Sequence, residues 1–147
     1  SLPGERIGYI FVSPKVSNCG DVYAAVCGAG RALGFVCAPS LLQYLVASCQ
    51  GLTGDIEAYK KNRDVLYNAL VEYGYTVAKP DGAFYLFVKS PEEDANAFCE
   101  KAKSEEILIV PGDDFGFKGY VRISYCVSLD TIKNSLEGFK RLIELYR

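Results

Sequence analysis

The sequence predicts an α+β fold over residues 51–147, an antiparallel or mixed sheet with helices on one face. A segment of different character, residues 1–50, precedes it. Three observations predict this division. Short β-branched and aromatic runs near residues 76–78, 83–88, 107–110 and 120–126 alternate with longer stretches of helical periodicity. The sequence Lys79-Pro80-Asp81-Gly82 is a strong turn signal between the first two runs. Residues 1–50, by contrast, are rich in Ala, Gly, Ser and Cys and nearly free of charge after Lys15.

Taken in order, Ile7–Val12 is a wholly apolar run and predicts a strand buried on both faces of a mostly parallel sheet. Asp21 predicts the cap of a helix reaching about Leu33, in which Ala24, Ala25, Gly28 and Ala29 permit close packing. Pro39–Cys49 predicts a second helix with proline in its first turn. So apolar a segment is expected to be covered by more protein, and an unpaired Ile7–Val12 edge would invite association.

Asp55–Tyr73 places Ile56, Tyr59, Leu66 and Leu70 near helical spacing, and Gly74 marks its stop. After the hairpin, Pro91 to about Lys103 predicts a helix opened by the acids Glu92, Glu93 and Asp94, which complement the helix dipole. Ile107–Val110 and Tyr120–Cys126 predict strands. Asp130–Tyr146 predicts a closing amphipathic helix with Ile132, Leu136, Phe139 and Ile143 on one stripe.

Composition excludes several classes of function. The net charge of -2 offers no electrostatic footprint for nucleic acid, so no such partner is expected. No apolar run reaches the roughly 20 residues that span a bilayer, so no membrane partner is expected. The six cysteines are scattered without a C-x-x-C pair, and with no histidine in the chain a mixed zinc site is excluded; no metal ligand is assigned. Reduced cysteines packed as small hydrophobes fit a cytoplasmic protein. The lack of histidine also removes His-based triads and the commonest general base.

Local motifs give weaker signals. Gly28-Ala29-Gly30-Arg31-Ala32-Leu33 lacks the last glycine of a dinucleotide loop and lies inside a predicted helix, so it is not read as one. Asp113-Asp114, after Pro111-Gly112, is explained by turn chemistry. Two arginines have more to offer. Arg6 follows a Pro-Gly turn at the entrance to an apolar run, and Arg122 lies within Tyr120-Val121-Arg122-Ile123-Ser124, where alternation sets Arg122 and Ser124 on the face opposite Val121 and Ile123. A guanidinium keeps its charge and presents a planar fork suited to phosphate or carboxylate.

Four motifs in order carry a resemblance to a known family. Pro3-Gly4-Glu5-Arg6-Ile7-Gly8-Tyr9 resembles the segment after the cofactor lysine in aspartate-aminotransferase-like, pyridoxal-phosphate-dependent enzymes of fold type I. Asp81-Gly82-Ala83-Phe84-Tyr85 resembles that family's hairpin, Val110-Pro111-Gly112 through Phe115-Gly116 its following loop, and Gly119-Tyr120-Val121-Arg122-Ile123-Ser124 its carboxylate-binding strand. The resemblance covers essentially the whole chain.

The resemblance implies that residues 1–50 end a large α/β cofactor domain and that 51–147 form the small C-terminal domain, linked by the helix from Asp55. It implies pyridoxal 5'-phosphate as cofactor, Arg6 as a phosphate contact, and Arg122 as the clamp for the substrate's α-carboxylate. The substrates implied are an amino acid and a 2-oxo acid, and the implied assembly is a homodimer. The family's lysine would fall upstream of Ser1, so no catalytic residue is assigned within the chain, and residues 1–147 alone are expected neither to hold the cofactor firmly nor to transaminate. A carbon–sulfur β-lyase of the same fold, and a non-catalytic α+β regulatory or interaction domain, stay open as alternatives.

Overall fold

The computed structural model describes residues 4–147, so the Pro3 half of the Pro3-Gly4 turn lies outside the described residues. The chain forms two compact units, one ending at Gly54 and the other running Asp55–Arg147.

The first unit holds two helices, α1 (Cys19–Ala32) and α2 (Ser40–Ser48). Helix α1 differs from its predicted start. Asn18, in the left-handed region at φ 56°, is the N-cap, and Asp21 lies within the first turn, where its charge faces the positive end of the dipole without capping it. Asn tolerates that backbone region better than most residues, which fits it for the chain reversal into the helix. The helix ends in a Schellman motif, with Phe35 N–H donating to the Gly30 carbonyl and Gly34 N–H to that of Arg31. Gly34 supplies the φ of +87° that this closure requires. Pro39 stands just before α2, which starts at Ser40, and no side chain caps that helix.

The predicted strand Ile7–Val12 is not a strand. Residues 6–13 carry no regular structure, and no ladder partner reaches them among the described residues. An apolar run makes residues able to line a sheet, but a strand exists only once a neighbour takes its backbone hydrogen bonds. The segment is instead exposed, Tyr9 at 93% and Phe11 at 74%. No described residue of the first unit is buried. Its apolar residues do not make a core of their own.

The second unit does. Its order is α3 (Ile56–Glu72), β1 (Val77–Ala78), β2 (Tyr85–Lys89), α4 (Ala95–Lys103), β3 (Val110–Pro111), β4 (Tyr120–Ser124) and α5 (Leu129–Glu144). The strands form one antiparallel sheet in the order β1-β2-β4-β3. Leu86 and Val88 on β2 and Val121 and Ile123 on β4 face a buried core shared with Leu66 and Leu70 of α3, Phe98 and Ala102 of α4, and Ile132, Phe139 and Leu142 of α5. The architecture is α+β with the helices on one face of the sheet.

Each helix of this second unit is capped by the residue its sequence supplies. Asp55 accepts from Ala58 N at 2.9 Å, Asp94 from Asn96 N at 2.9 Å, and Ser128 from Thr131 N at 3.1 Å. The cap at Asp94 explains why α4 starts at Ala95 instead of Pro91. The carboxylate that satisfies the first free amide sets the start, and residues 91–93 form a bend before it. Glu92 faces Lys101 and Tyr146. At the far end of α3, Gly74 takes a φ of +96° and Tyr75 N–H donates to the Leu70 carbonyl, the same Schellman closure as in α1. The strand predicted at Ile107–Val110 begins later, at Val110, because Glu106 turns the chain out of α4 through φ 59° and Ile107 N–H is taken by the Ala102 carbonyl.

Candidate functional site

The face of the sheet turned away from the helices is the candidate site. Antiparallel pairing sets Arg122 directly across from Phe87 of β2 on one side and Val110 of β3 on the other, so these side chains stand on one face. Tyr85, Lys89, Tyr120 and Ser124 share that face by alternation. The neighbours of Arg122 along its strand, Val121 and Ile123, point into the core. That anchoring fixes the backbone under the guanidinium.

Two aromatic rings hold the guanidinium itself. Its Cζ lies 3.7 Å from the centroid of Phe115 and 4.3 Å from that of Tyr85. Both are cation–π contacts, and the Phe115 distance is too short for an N–H aimed at the ring, so that ring stacks on the guanidinium. Nε of Arg122 is buried without a hydrogen-bond partner, and the side chain makes no ion pair among the described residues. A cation placed among aromatic rings with no acidic partner is suited to an external anion. Its charge has not been spent within the fold.

The loop between β3 and β4 delivers Phe115. A 3-10 turn at Asp113–Phe115 follows Gly112, whose carbonyl accepts from Phe115 N–H at 2.9 Å and Phe117 N–H at 3.0 Å, while its own N–H donates to the Tyr120 carbonyl at 2.7 Å. A side chain at position 112 has no room, because a Cβ there would lie 2.5 Å from the Phe117 carbonyl oxygen. The tight closure aims the loop's rings back over the sheet. Phe117 meets Phe87 at 4.9 Å between centroids.

The hairpin before β2 is fastened from the other side. Ala83 sits at φ 60°, an uncommon conformation for a residue with a side chain. Its carbonyl accepts from the Tyr125 hydroxyl at 2.6 Å, and Tyr125 N–H donates to the Phe84 carbonyl. Burial pushes the Tyr125 phenol above its usual range, so it stays a donor at physiological pH. Buried Asn62 on α3 then holds the chain just after β4, donating to the carbonyls of Tyr125 and Val127.

Of the two arginines singled out from sequence, Arg122 stands on the open sheet face of the second unit, on the predicted side of its strand. Arg6 lies in the first unit, exposed, within the irregular segment where a strand was expected. In the same unit an open concavity of about 650 Å3 is lined by Ile7, Gly8, Tyr9, Cys37, Ala38, Gln43 and Val46. Sequence reasoning quoted Tyr85 and Phe115 only as parts of motifs and did not foresee them as the rings around Arg122. The turn at Lys79–Gly82 signalled only the pairing of Tyr85's strand with β1, and the pairing of β2 with β4 that sets Tyr85 beside the arginine is a long-range one. Nothing in the sequence showed that the Gly112 loop folds back far enough for Phe115 to reach it.

Comparison with known proteins agrees with this geometry. Residues 1–139 match the family "Aminotransferase class I and II". A crystal structure of an amino transferase from Eubacterium rectale is 60% identical and superposes with a TM-score of 0.92 over 99% of this chain and 37% of its own. The aspartate aminotransferase of Bacillus subtilis is 37% identical over 98% of this chain and 38% of its own length. A Thermus thermophilus aspartate aminotransferase crystallised with maleate is 34% identical over 58% of this chain and 23% of its own, with a TM-score of 0.57. The chain thus spans between about a quarter and two-fifths of the length of the curated relatives it matches. From sequence match and fold together, the chain belongs to the class I and II aminotransferases.

Proposed function

We propose that this chain is the C-terminal part of a pyridoxal-phosphate-dependent aminotransferase that moves an amino group between an amino acid and a 2-oxo acid. Arg122 binds the α-carboxylate common to both. The observation that carries this reading is the Arg122 guanidinium, ring-flanked and without an internal anion, on the open face of the sheet. In this reading the unit ending at Gly54 closes the large cofactor domain and Asp55–Arg147 is the small domain. The exposed apolar residues of the first unit support it, because Tyr9, Phe11, Phe35 and Leu41 are the kind of surface that further protein covers.

The residues here fit the cofactor in part. A phosphate dianion suits a guanidinium, and Arg6 is the residue matched to that role. One exposed arginine is not a full cradle, so the remaining phosphate ligands and the covalent lysine are assigned to the part of the protein upstream. The bound cofactor would act as the electron sink for the carbon next to the carboxylate. The second unit supplies binding and orientation. Arg122 fixes the carboxylate in its fork, the rings shed water from around it, and the substrate's reacting bond is thereby held in one direction. We also propose a homodimeric, cytoplasmic enzyme, which fits six free cysteines and the lack, among the described residues, of a helix long and apolar enough to cross a membrane.

The test uses the full-length protein that carries this chain. Arg122→Lys keeps a charge but loses the planar fork, a change worth about 1.5–3 kcal/mol for a charged hydrogen-bonded pair. The amino-donor KM should rise at least tenfold, which corresponds to about 1.4 kcal/mol. Unchanged KM values for amino acid and 2-oxo acid would refute the assignment. Release of ammonia and a thiol from cysteine conjugates, without amino transfer, would instead mark a β-lyase.

A further inference from the structure

We propose that Phe115 and Tyr85 are positioning residues that make Arg122 select a planar carboxylate over a tetrahedral anion. The inference rests on the reading of Arg122 as the carboxylate site and adds how that site discriminates. Two rings flank the guanidinium, that of Phe115 with its centroid 3.7 Å from Cζ and that of Tyr85 with its centroid at 4.3 Å. Nε is buried beyond the reach of a ligand. What stays open is the outer edge, the Nη1 and Nη2 pair, approached within the guanidinium plane. A carboxylate has all its oxygens in one plane and enters that edge with two parallel hydrogen bonds. A phosphonate or phosphate sets two oxygens in the plane and must project at least one out of it, toward Phe115 or Tyr85. There it is desolvated against the negative face of a ring, with no donor in return. Discrimination therefore comes from a repulsive element built beside the attractive one.

The two rings reach Arg122 by independent routes, and this makes the arrangement testable. Tyr85 comes from β2 in the sheet, and Phe115 from the turn closed by Gly112. Without either ring the guanidinium can tilt, and one face opens to water and to a third oxygen.

The experiment measures propionate and ethylphosphonate binding by calorimetry to the full-length holoenzyme. The panel comprises the natural sequence, Phe115→Leu, Tyr85→Leu, Phe115→Tyr and Arg122→Gln. The natural protein should prefer propionate by about tenfold or more, with each leucine variant narrowing that preference about fivefold and Phe115→Tyr restoring it. A merely structural role would weaken both ligands equally and leave their ratio unmoved, and that result overturns the proposal. So does a leucine variant that keeps the natural ratio within twofold in a folded protein, and if Phe115→Leu does not fold, Tyr85→Leu decides. Propionate binding that Arg122→Gln leaves intact would overturn the carboxylate site and this inference together. Loss of the ratio alone overturns only the role of the rings.

Discussion

Asn62 and Val127, 65 positions apart, are joined by a 2.8 Å hydrogen bond from the asparagine amide to the valine carbonyl. A second bond from the same nitrogen reaches the Tyr125 carbonyl at 3.2 Å. With this one amide, α3 satisfies two acceptors where the chain leaves β4 and turns toward α5. Asn62→Leu would strand the buried Tyr125 carbonyl and the partly buried Val127 carbonyl. We expect a loss of about 2–4 kcal/mol, read as a lowered urea midpoint at unchanged slope. Loss under about 0.5 kcal/mol, the range of ordinary surface substitutions, would show that water replaces the amide.

Gly112→Ala should damage the site more than the fold. The added methyl meets the Phe117 and Tyr120 carbonyl oxygens at 2.5 and 2.8 Å, so the loop must shift and carry Phe115 with it. The expected result is about 1–3 kcal/mol of destabilisation together with a raised KM for the amino donor. A stable variant with natural KM would mean that Phe115 is not positioned by this closure.

Glu92 predicts a response to acid. The Tyr146 hydroxyl, first, and the Lys101 ammonium, 3.0 Å away, hold its carboxyl below the usual range, although Asp94 and partial desolvation oppose them. Because the folded pKa is the lower one, the ionised pair adds stability at pH above the unfolded carboxylate value, about 4.3. That stability is lost as pH falls through the folded value. Tyr146→Phe should therefore lower the melting temperature at neutral pH and have a progressively smaller effect as the pH is taken down into the acid range and Glu92 protonates. An equal effect throughout would assign the loss to packing against Phe98, whose ring centroid lies 5.8 Å from that of Tyr146.

Cys99 is buried on α4, and burial pushes its thiol above the ordinary range. It should resist a thiol reagent in the folded full-length protein and react only on unfolding, whereas Cys126 is exposed in its unit. Mass spectrometry of the labelled peptides checks this. Early modification of Cys99 would mean that α4 opens locally.

Adding pyridoxal phosphate to residues 1–147 alone should give no visible absorbance band, while the full-length protein should give a clear one. A lysine-dependent band from the short chain would overturn the upstream placement of the covalent lysine.

Much of the second unit was legible because its signals are local. Asp55, Gly74 and the stripe Ile132, Leu136, Phe139 and Ile143 each state a cap, a stop or a buried face within a few residues, and alternation around Arg122 fixed its side of the strand. The first unit was less so. Ile7–Val12 has the composition of a buried strand, but a strand is a relation between segments, and among the described residues no partner for it is present. The rings around Arg122 were hidden for a related reason. Phe115 reaches it through a loop whose path depends on the Gly112 N–H meeting the Tyr120 carbonyl, a contact no periodicity encodes. Glu106 at φ 59° likewise delayed β3, since αL turns at residues other than glycine leave little trace in sequence.

Strand β4 gives alternate positions to different tasks, Val121 and Ile123 to the core and Tyr120, Arg122 and Ser124 to the open face. Side chains on the open face can therefore be exchanged while the packed layer beneath stays nearly untouched. What that face binds and how well the domain folds are thereby assigned to alternate residues of one strand, so a change in the first need carry little penalty in the second.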